Sequence, residues 1–475
     1  EVIGADIMAR FQKMRGRKVF FLTGSDEHSF NVYRRAREEG LNPHEYCDKM
    51  VEIYKKTWES LGISYDKFIR TSSEEHKKVV IEFLEKLLQS DLVYRGKYSG
   101  WYCVSCESFY REKELKDGLC PVHLKRPEWV EEENYFFALS KFADFLRKHI
   151  KEHPEFIQPE ERKNEVLGII NSGLQDISIS RKGGNWGIPF PGIEGEKVYV
   201  WVDALINYIS GLGKAYQEFW PADFHVIGKD IIRFHCVIWP ALLKTLNLPL
   251  PRRIFSHGFI SLKGEKISST RGNILQPQEL LKEYPADAIR FYLFREIPFG
   301  QDGEFSLEGL RERYNQELAN DWGNFVRRVE VMTNKYFDSA IPSPSSFSSL
   351  EHEVINFSKR VWGNTTSYME EFLFSQALQE IWKLVKRANQ YVEESSPWNL
   401  YKDNKKEKLS TVILTSLELI KKIALLLFPF VPFSSYRVLK DLGEEKKIKW
   451  EEAEGWNKIT PGRKIILSPP LFLKK

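Results

Sequence analysis

The stretch KVFFLTGSDEH, Lys18 to His28, runs from a continuous apolar core straight into a turn of small and charged residues. An unbroken Val-Phe-Phe-Leu run suits a strand buried on both faces, the habit of parallel sheets. Such sheets collect ligand groups at the carboxyl ends of their strands, which puts Asp26, Glu27 and His28 at a cleft edge. Before it, EVIGADIMARF has helical spacing to about Gly16, and more helix follows through Leu88. Three further strand-like runs, KVYVWVDAL from Lys197, DFHVIGKD from Asp223 and RIFSHGFISL from Arg253, are separated by helical stretches. The pattern predicts an α/β domain.

The texture changes twice. From about Leu92 to Leu139 short aromatic strands and turns surround a group of cysteines, and the α/β pattern resumes after Pro159. From about Ser306 the chain reads as helix, with apolar residues three and four apart in LANDWGNFVRRVEVM, FSQALQEIWKLVKRANQYV and TVILTSLELIKKIALLLF. The Ser/Pro-rich SAIPSPSSFSSLEHE, Ser339 to Glu353, is a connector between two of those helices.

With 475 residues, 42% hydrophobic and 29% charged, the chain has room for two or three ordinary cores. A net charge of +4 permits a polyanionic partner without demanding one. The longest apolar runs fall short of the roughly 18 residues of a membrane span, and the start lacks the layout of a signal peptide. The chain opens on Glu1 in mid-helix pattern, which suggests that residues precede it. The five cysteines, Cys47, Cys103, Cys106, Cys120 and Cys236, are odd in number and three are clustered. That favours a reducing, cytoplasmic setting and a metal site over a disulfide framework.

Cys103 and Cys106 bracket two residues, and Cys120 and His123 bracket two more after thirteen intervening residues. Two such pairs present three thiolates and an imidazole to one tetrahedral ion, a closed structural set that favours zinc. A segment this small would draw its fold from the metal.

Asp26, Asp203, Asp230 and His235 stand at or near predicted strand ends, with Trp201, Tyr208 and Phe234 close in sequence. Each alone could be a cap or a core aromatic. Together they describe a pocket for a small molecule with an amine and an apolar part, as an amino acid has. The loop SLKGEKISSTRGN sets Lys263, Lys266 and Arg271 among glycines and hydroxyls, a segment suited to a phosphate.

FFLTGSDEH, GWYCVSCESFY with GLCPVH, ENYFFALSKF, YVWVDALINYIS, HVIGKDIIRFHCVIWPALL, GEKISSTRGN and ELANDWGNFVRR, in that order and nearly end to end, closely resemble the bacterial-type methionyl-tRNA synthetases, class I aminoacyl-tRNA synthetases. The resemblance implies a Rossmann-type catalytic domain over 1–91 and 154–250, with its first strand missing, split by a zinc-bearing connective insertion over 92–153. A stem-contact region with the signature loop over 251–310 and an α-helical anticodon-binding domain over 311–475 follow. It implies activation of methionine with ATP and magnesium, then transfer to the 3' adenosine of tRNA(Met). Asp26 falls where the family holds the substrate's amino group, and Trp201, Leu205, Tyr208, Phe234 and His235 fall on the side-chain pocket. His225, Lys229 and Asp230, with Lys266, fall beside ATP, and Arg181 resembles a cleft arginine. Asn324 and Arg328, four apart and so on one helix face, and Trp398 in VEESSPW match the anticodon-reading positions.

The chain departs from the family in two places. The family's Lys-Met-Ser-Lys-Ser loop reads Lys266, Ile267, Ser268, Ser269, Thr270 here, so the second lysine is a serine. The His-Ile-Gly-His-like motif that should precede Glu1 is not in this sequence, so the chain as it stands is expected to be inactive or nearly so. Two rivals compete with this reading. Another class I synthetase, cysteinyl or leucyl, is disfavoured by WVDALINY and by the short interval from Gly96 to Pro159, too small for a large editing domain. A tRNA-binding scaffold without catalysis would predict decay of the pocket, yet Asp26, Trp201, Tyr208 and His235 are in place. The chain ends soon after the helical part, so a monomer is expected.

Overall fold

The computed structural model describes the chain except residues 106, 111, 122–123, 183–185, 263–264, 267–275 and 457–458. It forms two compact units: Glu1 with Phe20–Lys56 and Tyr65–His257, and Val2–Val19 with Thr57–Ser64 and Gly258–Lys475.

In the first unit the opening stretch becomes the strand Leu22–Ser25, paired in parallel with Lys67–Arg70 in the register Ser25↔Arg70. A second parallel sheet orders Phe224–Gly228, Arg253–His257 and Ile157–Gln158, with Gly228 opposite His257. Both pairs place polar residues just beyond their carboxyl ends, as the sequence predicts. The helices Glu74–Leu88, Val200–Ser210 and Trp239–Thr245 contribute Phe83, Val202, Leu205, Trp239 and Leu242 to a core shared with Ile227 and Ile254. The aromatic segment is an antiparallel sheet whose long strands Val93–Cys103 and Glu128–Phe137 run from Val93↔Phe137 to Tyr102↔Glu128.

KVYVWVDAL is not a strand. Only Glu196–Val198 is extended, and Val200–Ser210 is helical, so Trp201, Asp203, Leu205 and Tyr208 lie on a helix and not at a strand end. A continuous apolar run cannot by itself separate a buried strand from a buried helix. Here Val200, Val202, Asp203, Ala204, Leu205 and Ile206 are all buried, and packing on several sides overrides the β preference of Val and Trp.

The second unit is mostly helical, as expected beyond Ser306, and 341–348 is the irregular connector. The helix Lys406–Leu427 is more deeply buried than a one-sided amphipathic helix: even Lys421 and Lys422 are inside it. Lys421 is paired with Glu444 at 2.8 Å, and Lys422 donates to the carbonyls of Ala453 and Glu454 at 2.5 and 3.1 Å. The helix Val2–Met14 belongs to this unit through Asp6, which accepts from Arg290 at 2.7 Å, Arg10 at 2.8 Å and the Ser64 amide at 2.8 Å. Arg290 is fully buried and also donates to the carbonyls of Leu61, Pro429 and Phe430. A buried ion pair persists only when its remaining donors and lone pairs are satisfied this completely. Among the described residues no helix is long and apolar enough to cross a membrane.

Candidate amino-acid and tRNA sites

The three polar residues after Leu22–Ser25 have different fates. Glu27 turns inward and accepts from Arg70 at 2.8 and 3.1 Å, from Ser25 at 2.6 Å and from the Ser72 hydroxyl. Burial alone would raise its carboxyl, but these hydrogen bonds, led by Arg70, hold it low. It fastens the ends of two paired strands and is not available to a ligand. His28 also turns inward, its Nδ1 2.7 Å from Asp203 Oδ2.

Asp203 is the hub of a chain that crosses the fold. His76 Nε2 lies 2.6 Å from its other oxygen, and His76 Nδ1 lies 2.7 Å from Ser210 Oγ. An ionised carboxylate can only accept, so both imidazoles donate to it. Burial works to raise Asp203, and the hydrogen bonds from His28 and His76 outweigh it, leaving the carboxyl below the ordinary range. No local pattern points to His76, because its partner is 127 residues away.

Asp26 is exposed by area, yet protein surrounds it closely. Burial, then the carboxylates of Asp203 and Glu107, pushes its own carboxyl well above the usual range. Such a group is reachable by solvent but poorly hydrated. An ammonium seated there would restore its charge.

The helix Val200–Ser210 carries the next wall. Trp201 stacks on Phe234 with ring centroids 3.7 Å apart and planes 9° from parallel. One turn of wide helix, Phe234–Ile238, holds Phe234 and His235. His235 Nδ1 donates to the Ile231 carbonyl at 3.0 Å, so its Nε2 is free to accept the Tyr208 hydroxyl at 2.7 Å. Tyr208 also lies 4.1 Å from the ring of His225. Burial pushes His235 down to about 4 and His225 down to about 3, so both are neutral near pH 7. Leu205 is buried on the same helix. The result is an apolar, aromatic surface with one neutral polar tip.

Lys229 and Asp230 form a short turn just beyond Phe224–Gly228. Gly228 matters there, since a β-carbon would sit 2.7 Å from Asp230 Oδ1. Arg181 lies over the Tyr102 ring at 4.3 Å and 3.5 Å from Glu132. Lys263 and Arg271 are outside the described residues, as is most of the loop around the backbone of Lys266.

Of the four expected zinc ligands, Cys103 and Cys120 are buried, while Cys106 and His123 lie outside the described residues. Among the described residues no three His, Cys, Asp or Glu converge on a metal position. The backbone nevertheless turns alike after each cysteine: Glu107 and Leu124, each four residues on, adopt left-handed φ of 50° and 52°. Matching reversals after both cysteines fit a pair of ligand-bearing turns.

In the second unit Asn324 opens the helix Asn324–Phe337 and is exposed, with Arg328 one turn on. Arg328 Nη1 binds Glu393 at 2.5 Å, while its Nε and Nη2 are buried without a hydrogen-bond partner among the described residues. Ser396, left-handed at φ 43°, ends Phe374–Ser395 and starts Pro397–Lys402, turning Trp398 out to 39% exposure.

Comparison with known proteins gives these residues a family. A model for class I tRNA synthetases (M) matches residues 1–126 and 112–330, and one for the anticodon binding domain of methionyl tRNA ligase matches 341–475. Methionine–tRNA ligase of Caldanaerobacter subterraneus subsp. tengcongensis is 44% identical over 484 residues, spanning 100% of this chain and 76% of that protein. The chain belongs to the methionyl-tRNA synthetase family. The Thermotoga maritima methionine–tRNA ligase is likewise 44% identical, over 99% of this chain and 76% of its own length. A solved Mycobacterium tuberculosis methionyl-tRNA synthetase in complex with methionyl-adenylate matches with TM-score 0.95 at 36% identity, over 99% of this chain and 95% of that one. The chain is thus a methionine–tRNA ligase, with a class I catalytic domain followed by a helical anticodon-binding domain.

Proposed function

We propose that the cluster around Asp26 is the methionine site of this synthetase, and the stacked Trp201–Phe234 pair beside the Tyr208–His235 hydrogen bond is the observation that carries it. Asp26 binds the ammonium. Trp201, Leu205, Tyr208, Phe234 and His235 receive the side chain, whose thioether gains from contact with aromatic rings and, at the polar tip, from a hydroxyl. A neutral His235 adds no charge of its own to that pocket, which suits an apolar side chain.

His225, Lys229 and Asp230 border the nucleoside end, with Lys266, Lys263 and Arg271 on the phosphates. A methionine carboxylate oxygen attacks the α-phosphorus of ATP as the bond to the bridging oxygen breaks, releasing pyrophosphate. The ribose hydroxyl of the terminal tRNA adenosine then displaces AMP. Magnesium bound to ATP would offset charge on the phosphates. Zinc held by Cys103, Cys106, Cys120 and His123 would order the insertion without taking part in the reaction. Asn324, Arg328 and Trp398 read the anticodon, with the exposed Trp398 ring stacking on a base. The working form is a cytoplasmic monomer.

Methionine-dependent exchange of pyrophosphate into ATP by the full-length protein tests the site. Asp26→Asn should raise the methionine KM at least tenfold, the loss of about one charge-assisted contact. An unchanged KM would remove Asp26 from the site.

A further inference from the structure

Beside Trp398 the surface carries more aromatic area than one stacked base uses. Tyr401 lies three residues along the same short helix, Pro397–Lys402, and is 48% exposed. Its inner face stacks on Tyr336, with centroids 4.3 Å apart and planes 22° from parallel. Tyr336 belongs to Asn324–Phe337, the helix that carries Asn324 and Arg328. Lys335 lies 5.8 Å from the Tyr336 ring centroid. Immediately after Tyr401 the run KDNKKEK, Lys402 to Lys408, is exposed throughout. Lys405 pairs with Asp403 at 3.3 Å, whereas Lys402, Lys406 and Lys408 have no carboxylate partner among the described residues. A half-exposed ring backed by a second ring thus stands beside cations that have no carboxylate partner among the described residues. Single-stranded nucleic acid asks for such a surface: a fixed π-face for a base and positive charge along the backbone.

We infer that Tyr401, backed by Tyr336, is a second stacking platform for an unpaired nucleotide of the tRNA anticodon loop, and that Lys402, Lys406 and Lys408 hold the adjoining phosphates. The inference rests on the anticodon reading of Asn324, Arg328 and Trp398. The ring is preorganised, so the base meets little ordering cost on that side. Stacking tolerates any base, which suits a position flanking the bases that are read.

The test is equilibrium binding of the full-length protein to a tRNA(Met) transcript, with circular dichroism melts as the folding control. Tyr401→Ala should weaken binding about tenfold, while Tyr401→Trp and Tyr401→Phe stay close to native. An abasic scan of the anticodon loop should find a position outside the anticodon where native and Tyr401→Ala proteins bind alike. Replacing Lys402, Lys406 and Lys408 with Gln should flatten the dependence of binding on salt, which Tyr401→Ala leaves unchanged. If Trp398→Ala weakens binding but Tyr401→Ala does not, the platform is wrong and the anticodon reading stands. If neither weakens it, both fall.

Discussion

Replacing Asp203 with Asn changes no volume and removes one charge, so its effect isolates the buried relay His28–Asp203–His76. Asn keeps one oxygen to accept from one imidazole but turns an amide NH2 toward the other, so one of the contacts now at 2.7 and 2.6 Å is lost. A hydrogen bond to a buried charge is worth about 1.5–3 kcal/mol, and breaking a buried charged pair costs up to about 5. With one acceptor retained the expected loss is about 2–4 kcal/mol. For a unit of this size that is roughly 5–15 °C in melting temperature. The same helix carries Trp201 and Tyr208, so the methionine KM should rise more than the ATP KM. Removing the Asp203 charge also lets the Asp26 carboxyl fall toward its ordinary value, since Asp203 is the largest of the charges raising it. Because folding depresses the Asp203 carboxyl, its stabilisation is full above the ordinary carboxylate range and is lost as pH falls through the folded value. The gap between native and Asp203→Asn melts should therefore close in acid. A variant that melts with the native protein at pH 7 and keeps its methionine KM would refute the relay.

Four other outcomes are expected. Arg290→Met should destabilise the helical unit by about 3–5 kcal/mol, because Asp6 is left charged and buried, and adding Asp6→Leu should recover part of that in denaturant titrations. Glu330 is raised to about 8 chiefly by burial and next by Asp441, so stability should fall as pH rises from the ordinary carboxylate range and level off above about 8, and Glu330→Gln should remove that fall. Metal analysis should find about one zinc per chain, and far less in Cys120→Ser. The methionine KM should fall as pH rises through the raised Asp26 value, and Asp26→Asn should flatten that profile.

What the sequence could disclose was local. FFLTG and HVIG carried the apolar run and polar end of a parallel strand within a few residues, and helices beyond Ser306 repeated their period often enough to be read. The resemblance then implied one shared site for Asp26, Trp201, Tyr208 and His235. WVDAL was misread because a run buried on several sides has no period. The partners of Asp203 lie 127 and 175 residues away, and no propensity or motif reports a contact at that separation. Glu27 illustrates the converse limit: adjacent to Asp26 and chemically alike, it proves to be a strand clamp only because Arg70 arrives from another strand.

The Asp6–Arg290 pair also governs how this protein can be divided. A fragment beginning at Gly258 carries the helical array but leaves behind Val2–Val19 and Thr57–Ser64, and with them the carboxylate that answers Arg290. Its guanidinium would keep the carbonyls of Pro429 and Phe430 but lose its ion-pair partner and the Leu61 carbonyl. Recombination or gene fusion at a single crossover therefore cannot transplant the anticodon-reading half intact, and a portable version must either supply the early helix as a separate peptide or redesign position 290.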